Sequence, residues 1–398
     1  MSNQSPEHFG RNFPAWLVLM AFITAIGPIA IDMYLPAFPA MAQTLDTTPG
    51  HIERTLAGYL FGLSIAQLFY GPISDRFGRR LPLFTGLFIF LIASIGCALS
   101  TDIDHLFFWR IAQAFGGAAS MVIPRAVIRD RLDTNDAAKA LSMLMLIMGV
   151  TPILAPIIGG QFLVFLDWHS IFIFMVIYAG VMLFLAWRHM DETLAPHRKQ
   201  ELRPSIIFKN YSLLLTHRGF MLYALAGAFG SAGMFAYISG SPRVFIQTFG
   251  VDPSIFGFIF GLNAASFILM AQVNARLLNH FRPSQLLLAA QLVQALTTIG
   301  ALLLSILGWL NLPLTMLSLM LFMGALGMIN PNSAALALSR HARRLGSASA
   351  LMGTLQMLGG ALAGLAISVW SVNSTLPLVT ILFICALLSW TCGRLANL

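Results

Sequence analysis

Charge is scarce in this sequence. Asp, Glu, Lys and Arg make up 10% of its 398 residues, whereas soluble domains carry roughly a quarter. Because 58% of the residues are hydrophobic, the chain cannot cover itself with polar surface. Lipid is therefore the natural solvent for most of it.

Metal-ligating residues are also scarce. The three cysteines, Cys97, Cys385 and Cys392, lie in apolar segments without disulfide or metal spacing, which favours a packing role. The nine histidines include no pair at metal-binding spacing. We expect neither a metal site nor a bound cofactor.

Apolar runs of about 20 residues recur along the chain, each long enough to cross a hydrocarbon core of ~30 Å as a helix. They predict an all-α polytopic membrane protein with twelve transmembrane helices. The predicted helices are residues 15–37, 54–72, 81–100, 105–127, 138–164, 167–189, 219–242, 253–273, 284–307, 312–338, 346–370 and 374–393.

The longest polar stretch divides these helices into six and six. It predicts an N-terminal bundle at 1–190, a cytoplasmic linker at 191–218 and a C-terminal bundle at 219–398. Two traces of duplication support the division. Gly58 and Gly62 recur as Gly257 and Gly261, and the pair Gly117 and Pro124 recurs as Gly324 and Pro331. Gly-x-x-x-Gly spacing there, and at Gly360 and Gly364, favours ordinary helix packing over a dimer interface.

The net charge of +8 follows membrane topology. With the N-terminus inside, 20 of the 23 Lys and Arg residues fall on cytoplasmic segments, as the positive-inside rule requires. This pattern argues against a nucleic-acid partner and predicts both termini in the cytoplasm. Only Arg54, Arg110 and Arg243 remain unexplained.

A small-x-small pattern at Ala40–Ala42 follows the first apolar run, as at a signal-peptide cleavage site. The run is longer than the apolar core of a signal peptide, and it carries an Asp. We therefore expect the first helix to remain in the protein.

Asp32 is the one acidic residue that the prediction places within an apolar span. A charged carboxylate inside a membrane is costly unless paired or protonated, so it marks a functional site by default; a purely stabilising ion pair is the alternative. Arg110 lies at a matching depth in the fourth helix, since both residues are about five positions, or ~8 Å, from the outer helix ends. If the two helices are neighbours, Arg110 would pair with Asp32 and hold it ionised, while desolvation would favour its protonated form. Small rearrangements would then change its protonation, as proton coupling requires.

The segment between the second and third helices is dense in special residues. Gly71 and Pro72 are expected to end the second helix, and Gly78 permits a tight turn. The arginines would anchor the loop at the anionic cytoplasmic surface. The residues of this segment are Gly71, Pro72, Asp75, Arg76, Gly78, Arg79 and Arg80.

That segment resembles the signature loop of the major facilitator superfamily, Gly-x-x-x-Asp-Arg-x-Gly-Arg-Arg/Lys. The run from Arg110 to Gly117 resembles the superfamily's Arg-x-x-Gln-Gly pattern, with the glycine displaced from the position after Gln113. The resemblance implies two bundles rocking around a central cavity, with Asp32 and Arg110 in the coupling region. It also implies that Asp75 latches the outward-open state against the start of the eleventh helix, so that Asp75→Asn would alter the inward/outward balance measured by crosslinking.

Two further runs resemble the drug-exporting branches of that superfamily. The fifth helix is similar to their antiporter signature, Gly-x-x-x-Gly-Pro-x-x-Gly-Gly, with Thr151 and Ala155 in place of two glycines. The run from Asp32 to Pro39 resembles the Asp-Met-Tyr-Leu-Pro-Ala-x-Pro hallmark of the bicyclomycin-resistance (Bcr/CflA) group of drug:proton antiporters. The antiporter residues of the fifth helix are Pro152, Pro156, Gly159 and Gly160.

The resemblance therefore implies a monomeric exporter in the bacterial inner membrane, driven by the proton gradient without a cofactor. Its partners would be a small amphiphilic drug or metabolite, protons and the lipid bilayer. No acidic residue is predicted in the C-half spans, which favours neutral, zwitterionic or modestly polar substrates. The candidate cavity residues are Tyr34 and Gln113, which share helices with the charged pair, and Phe61, Phe235, Tyr237 and Asn263.

Three other functions remain open at this stage. An uptake symporter of the same fold would differ in the direction of net flux. A membrane-embedded enzyme is disfavoured, because the chain has no Gly-x-Ser-x-Gly elbow, paired intramembrane carboxylates or His-Glu-x-x-His motif. A channel would show conductance that substrate does not saturate.

Overall fold

The computed structural model describes residues 14–195, 211–339, 345–370 and 374–397, and twelve of its helices are long and apolar enough to cross a membrane. We number these helices α1 to α12. They are α1 (Ala15–Asp32, continued by a 3₁₀ turn at Leu35–Ala37 and a short helix at Phe38–Thr44), α2 (Pro49–Phe77), α3 (Arg80–Ala98), α4 (Ile103–Arg131), α5 (Thr134–Phe165), α6 (His169–His189), α7 (Arg218–Pro242, continued by a π-helix at Arg243–Thr248), α8 (Pro253–Leu277), α9 (Pro283–Ile306), α10 (Leu312–Leu338), α11 (Leu345–Val369) and α12 (Leu376–Ala396).

The predicted all-helical fold with twelve spans is confirmed. Short polar residues begin several helices, because their side chains accept a hydrogen bond from an N–H of the first turn that has no helical partner. Asp102, Asp133, Asp252 and Asn311 cap α4, α5, α8 and α10 in this way. Residues 196–210 of the predicted linker lie outside the described part of the chain.

The predicted ends of the first two helices are wrong. The first helix does not run unbroken to residue 37: α1 ends at Asp32, and a 3₁₀ turn follows at Leu35–Ala37. Pro36 and Pro39 lack the N–H groups that would continue the hydrogen-bond ladder. The second helix does not end at Gly71 and Pro72, because α2 contains Pro72 and continues to Phe77.

The two ends of the molecule follow from the alternation of the spans. The start of α1 and the end of α12 lie at one end, here called the termini side. The loops that follow odd-numbered helices, such as those after α1, α7 and α11, lie at the other end, here called the opposite side.

Helix packing repeats after six helices. In the first half, α1 packs against α4, α5 and α6, α3 packs against α4 and α6, and α2 packs against α4. The same pairs recur in the second half: α7 with α10, α11 and α12, α9 with α10 and α12, and α8 with α10. The halves meet chiefly where α2 packs on α11 and α5 packs on α8, and these two contacts are equivalent under the same repeat. The sequence traces of duplication therefore have a structural counterpart.

The three Gly-x-x-x-Gly pairs pack against helices of the same chain. A Cβ on Gly62 would lie 2.8 Å from Ala114 in α4, and one on Gly257 would lie 2.5 Å from the Ile157 nitrogen in α5. Gly364 lies against Ala57 and Ser239, in α2 and α7. The glycines thus permit close helix contacts within one chain, in agreement with the packing interpretation.

Candidate transport site

Asp32 lies where α1 breaks, at the junction of the two halves. The 3₁₀ turn that follows it contacts α5, α7 and α8. The Asp32 side chain is buried, at 3% exposure, and its Oδ1 has no hydrogen-bond partner among the described residues. A buried carboxylate oxygen without a hydrogen-bond donor is unfavourable in free energy. We therefore expect a group that is not part of the protein to bind there.

Arg110 is fully buried at the centre of an aromatic and polar cluster. Its guanidinium carbon lies 4.3 Å from the ring centroids of both Tyr34 and Tyr59. Its Nη1 donates to Gln113 Oε1 at 2.5 Å, and its Nη2 donates to the carbonyl of Ala30 at 2.9 Å. Two aromatic faces and two oxygen acceptors therefore hold the cation between α1, α2 and α4.

Asp32 and Arg110, both among the described residues, do not form an ion pair within 4.0 Å. This corrects the expectation of a direct pair, although α1 and α4 do pack together as that expectation required. The reason is geometric: the rings of Tyr34 and Tyr59 lie against the guanidinium, and Ala30 accepts from its edge. The Arg110 cation is thus stabilised by π-faces and two oxygen acceptors rather than by the carboxylate, and its Nε has no hydrogen-bond partner among the described residues.

The turn after Asp32 contacts α7 and α8 of the second half, which carry Tyr237 and Asn263. Tyr237 stacks on Phe260, with ring centroids 5.3 Å apart, and its hydroxyl accepts from Asn263 Nδ2 at 3.2 Å. Asn263 Oδ1 and Tyr59 Oη, like Asp32 Oδ1, have no hydrogen-bond partner among the described residues. Buried polar atoms without hydrogen-bond partners among the described residues therefore occur in both halves near the break in α1.

The predicted cavity residues divide into two groups. Tyr34, Gln113, Tyr237 and Asn263 belong to the buried polar region just described; Gln113 Nε2 also donates to Ser94 Oγ at 2.8 Å. Phe61 is 47% exposed, and Phe235 is buried where it packs against Gly360 of α11. The structure does not bring these two phenylalanines into the cluster around Arg110.

Helix α5 supports the break in α1. A Cβ on Gly159 would collide with the carbonyl oxygen of Met33, and one on Gly160 would lie 2.8 Å from the carbonyl oxygen of Pro253 at the start of α8. Pro152 and Pro156 lie inside the helix. The two glycines of the antiporter run thus let α5 contact the α1 break on one side and the second half on the other.

We expect Gly159→Ala to destabilise the protein by about 1–3 kcal/mol, because the new methyl group overlaps the Met33 carbonyl and neither backbone can move freely. Thermal unfolding of the purified protein in detergent should show a Tm lower by several degrees. Gly300→Ala in α9 is the matched control: no atom lies within 4 Å of its Cβ position, and alanine favours helix over glycine by about 1 kcal/mol. An unchanged Tm for Gly159→Ala would contradict the packing of α5 on α1.

The signature loop forms an ion-pair network at the termini side. Arg79 Nη1 lies 2.6 Å from Asp75 Oδ1, and Arg79 Nε lies 2.7 Å from Asp130 Oδ2 in α4. The carboxylate of Glu192, after α6, accepts from the backbone N–H groups of Arg79 and Arg80 at 2.8 and 3.2 Å. Although burial alone would lower the pKa of Arg79, the two carboxylates raise it above its ordinary value.

Gly78 makes this loop possible. Its φ of 93° lies in the left-handed region that favours glycine, and a Cβ there would collide with the Glu192 carboxylate. Arg76 is exposed. Asp75 pairs with Arg79 within the first half, and residues 340–344, just before α11, lie outside the described residues. The latch between Asp75 and α11 stays a prediction.

Sequence reasoning missed Tyr59 and the pair Glu53 and Arg243. The predicted second helix begins at residue 54, just after Glu53, but α2 begins at Pro49, so Glu53 lies within the helix and is 1% exposed. Its side chain contacts Arg243 of the second half at 2.7 Å. The available signal was Arg243 itself, one of three basic residues that topology left unexplained.

Twelve spanning helices in two equivalent halves, which meet around buried charged and polar groups, define a polytopic membrane transporter. The family model described as Major Facilitator Superfamily matches residues 20–364, and the chain belongs to that superfamily. The resemblance predicted from the signature loop is confirmed, and the protein is a multi-pass membrane transporter, not an enzyme.

Three curated relatives cover most of the chain. An uncharacterized MFS-type transporter of Bacillus subtilis, YdgK, is 33% identical over 95% of this chain and 94% of its own length. A bicyclomycin resistance protein homolog of Haemophilus influenzae is 27% identical over 94% of each chain. Multidrug resistance protein D of Escherichia coli is 28% identical over 88% of this chain and 87% of its own.

Solved structures share the fold. A bacterial homolog of the human lysosomal transporter Spinster superposes with a TM-score of 0.74 at 14% identity, covering 96% of each chain. A D-xylose-proton symporter superposes with a TM-score of 0.72 at 16% identity, covering 94% of this chain and 97% of that one.

Proposed function

We propose that the protein is a secondary active exporter, which expels small drug-like molecules in exchange for protons. The observation that carries this proposal is Asp32: a buried carboxyl group with an unpartnered oxygen, at a break in α1 where the two halves meet. It forms no ion pair within 4.0 Å with Arg110, whose guanidinium is held by the rings of Tyr34 and Tyr59. Asp32 is therefore free to exchange a proton without dismantling an ion pair.

Proton exchange at Asp32 supplies a mechanism for coupling. An ionised carboxylate in a membrane interior is costly, and binding a proton removes that cost. If the carboxyl group faces the two sides of the membrane in turn, it loads a proton from the acidic side and releases it on the other. The membrane potential contributes about 2.3 kcal/mol per charge for each 100 mV, which is enough to drive uphill export of a neutral substrate.

Substrates of modest polarity fit the groups around Asp32. These groups are aromatic rings with a few hydrogen-bonding atoms, namely Tyr34, Tyr59, Tyr237, Phe260 and Asn263. A cavity that opened onto these groups would suit small amphiphiles with few charges. Relatives named for bicyclomycin resistance and multidrug resistance support drugs of the bicyclomycin type as the first candidates, with export as the direction.

The proposed setting is the bacterial inner membrane, with the termini side in the cytoplasm. The excess of Lys and Arg on that side supports this orientation. The protein would act as a monomer and without a cofactor, powered by the proton gradient alone.

Everted membrane vesicles test the proposal. When their lumen is acidified, a drug exporter should accumulate drug inside and release protons outward, and an uncoupler should abolish both movements. Vesicles without the protein are the control. Drug accumulation that survives the uncoupler, or no accumulation with any of a panel of bicyclomycin-like, chloramphenicol-like and sulfonamide-like drugs, would contradict it. An uptake symporter would instead raise net uptake of its substrate into intact cells.

A further inference from the structure

A buried ion pair joins the two halves at the opposite side. Arg243 Nη2 lies 2.7 Å from Glu53 Oε2, and the side chains are 6% and 1% exposed. Glu53 lies in the second turn of α2, and Arg243 begins the π-helix that follows α7. Of the ion pairs between described residues, this is the one that connects the first half to the second.

Arg243 also binds the end of α11. Its Nη1 donates to the carbonyl oxygen of Trp370 at 2.8 Å, one residue beyond the end of the helix. The start of α2 lies against the same segment, since a Cβ on Gly50 would collide with the carbonyl oxygen of Ser368. The Arg243 guanidinium therefore links α7, α2 and α11 where the two halves are in contact at the opposite side.

The backbone around Arg243 is unusual. A π-helix runs from Arg243 to Thr248, in a wider winding that is rare in proteins and occurs mostly at functional sites. The Thr248 hydroxyl donates to the Arg243 carbonyl at 3.3 Å, which helps to hold the segment. The wider turn comes immediately after Pro242, so the change of winding coincides with the residue that reaches the other half.

The termini side has a different arrangement. There Arg79 pairs with Asp75 and Asp130, all within the first half. Among the described residues, the charged link between halves is thus confined to the opposite side. Separating α2 from α11 there would leave two buried charges unpaired until water reached them, and unpaired buried charges are strongly unfavourable.

We propose that Glu53 and Arg243 form a lock that holds the opposite side of the transporter closed, and that the pair breaks each time this side opens. The proposal rests on the transporter class and on alternating access, and not on proton coupling at Asp32. In the lock, Glu53 and Arg243 position the helices; neither group needs to contact the substrate.

Spin-label distances test the lock directly. The labels are placed at Thr48 and Val369, exposed residues at the start of α2 and the end of α11, with the three native cysteines replaced by alanine. When Glu53 and Arg243 are both unmodified, we expect a predominantly short distance between the two labels. Glu53→Gln and Arg243→Gln should each increase the population with a long distance between the labels, so that it becomes the major one. Combining Glu53→Arg with Arg243→Glu should restore the short distance at least in part.

Controls separate the lock from general damage. Asp104→Asn makes the same kind of change at an exposed residue in the first turn of α4, on the same side, and should leave the distances unchanged. Glu53→Asp keeps the charge but shortens its reach, so it should give a smaller shift in the same direction if Glu53→Gln proves too unstable to label. Distances that stay short in Glu53→Gln, Glu53→Asp and Arg243→Gln would overturn the lock.

The measurement needs neither drug nor proton gradient. A lock that opens in these variants while everted vesicles show no proton-driven export would refute the proposed exchange and leave the lock standing. Proton-driven export together with unchanged distances between the labels would refute the lock and leave the proposed exchange standing.

Discussion

Replacing Asp32 with Asn is expected to abolish drug-driven proton movement, reducing it to the level of vesicles without the protein. Asn matches the carboxyl group in size but cannot take up and release a proton. The side chain is buried and its Oδ1 has no partner among the described residues, so the substitution breaks no hydrogen bond at that atom. The protein should therefore insert and fold while losing its coupling. The measurement is the pH change in drug-treated everted vesicles.

Exchange of drug for drug separates coupling from binding. If Asp32 acts only on protons, Asp32→Asn should still equilibrate labelled drug against unlabelled drug across the membrane. Asp46→Asn is the matched control. Asp46 is exposed in the turn after the first span and has a φ of 44°, which Asn tolerates well. Proton movement retained in Asp32→Asn would remove this residue from the mechanism.

The number and extent of the spans were predictable because a membrane-spanning helix leaves a local signal, about 20 apolar residues. Helix α10 has the predicted bounds, 312–338, and several others differ by one or two residues. The break after Asp32 was not predicted, although Pro36 and Pro39 are visible in the sequence. A hydrophobic run alone does not show where a helix gives way to a 3₁₀ turn.

The matching depth of Asp32 and Arg110 in the membrane was predictable, but the contacts of the site were not. Asp32 and Arg110 were placed at similar depths, and their helices do pack together. The spacing of residues along the helices could not show that Tyr34 and Tyr59 enclose the Arg110 guanidinium. The position of Tyr59 depends on the rotation of α2 about its axis, which is fixed by packing elsewhere. Gly117 contributes to that packing, since a Cβ there would lie 2.6 Å from Tyr59 Oη.

Contacts between the halves were the least predictable. Glu53 and Arg243 are 190 positions apart, and neither has a helical neighbour that reveals the other. The duplication could have helped: the contacts α2 with α11 and α5 with α8 are equivalent under the six-helix repeat. Yet the repeated glycines serve different contacts, because Gly62 faces α4 within its own half and its counterpart Gly261 faces α5 of the other. A repeated motif thus indicated a repeated fold without indicating the partner.

Arg110→Lys is expected to lower proton-driven transport at least tenfold, even though the positive charge is kept. The ammonium group of lysine cannot lie flat between two rings while donating in two directions. A desolvated cation–π contact is worth about 2 kcal/mol and a hydrogen bond to a charged group about 1.5–3 kcal/mol, whereas a tenfold effect needs only about 1.4 kcal/mol. Initial rates of drug accumulation in everted vesicles give the measurement, with the Tm as a check on folding.

Substitutions at Tyr59 distinguish the stacking from the charge. Tyr59→Phe keeps the ring, and the hydroxyl that it removes has no hydrogen-bond partner among the described residues, so transport and Tm should remain close to those of the unmodified protein. Tyr59→Leu removes the ring and should reduce transport in the same direction as Arg110→Lys, but less, because Tyr34 still covers the guanidinium. If Tyr59→Leu transports as well as Tyr59→Phe, stacking does not hold Arg110 in place, and its hydrogen bonds to Gln113 and Ala30 must suffice.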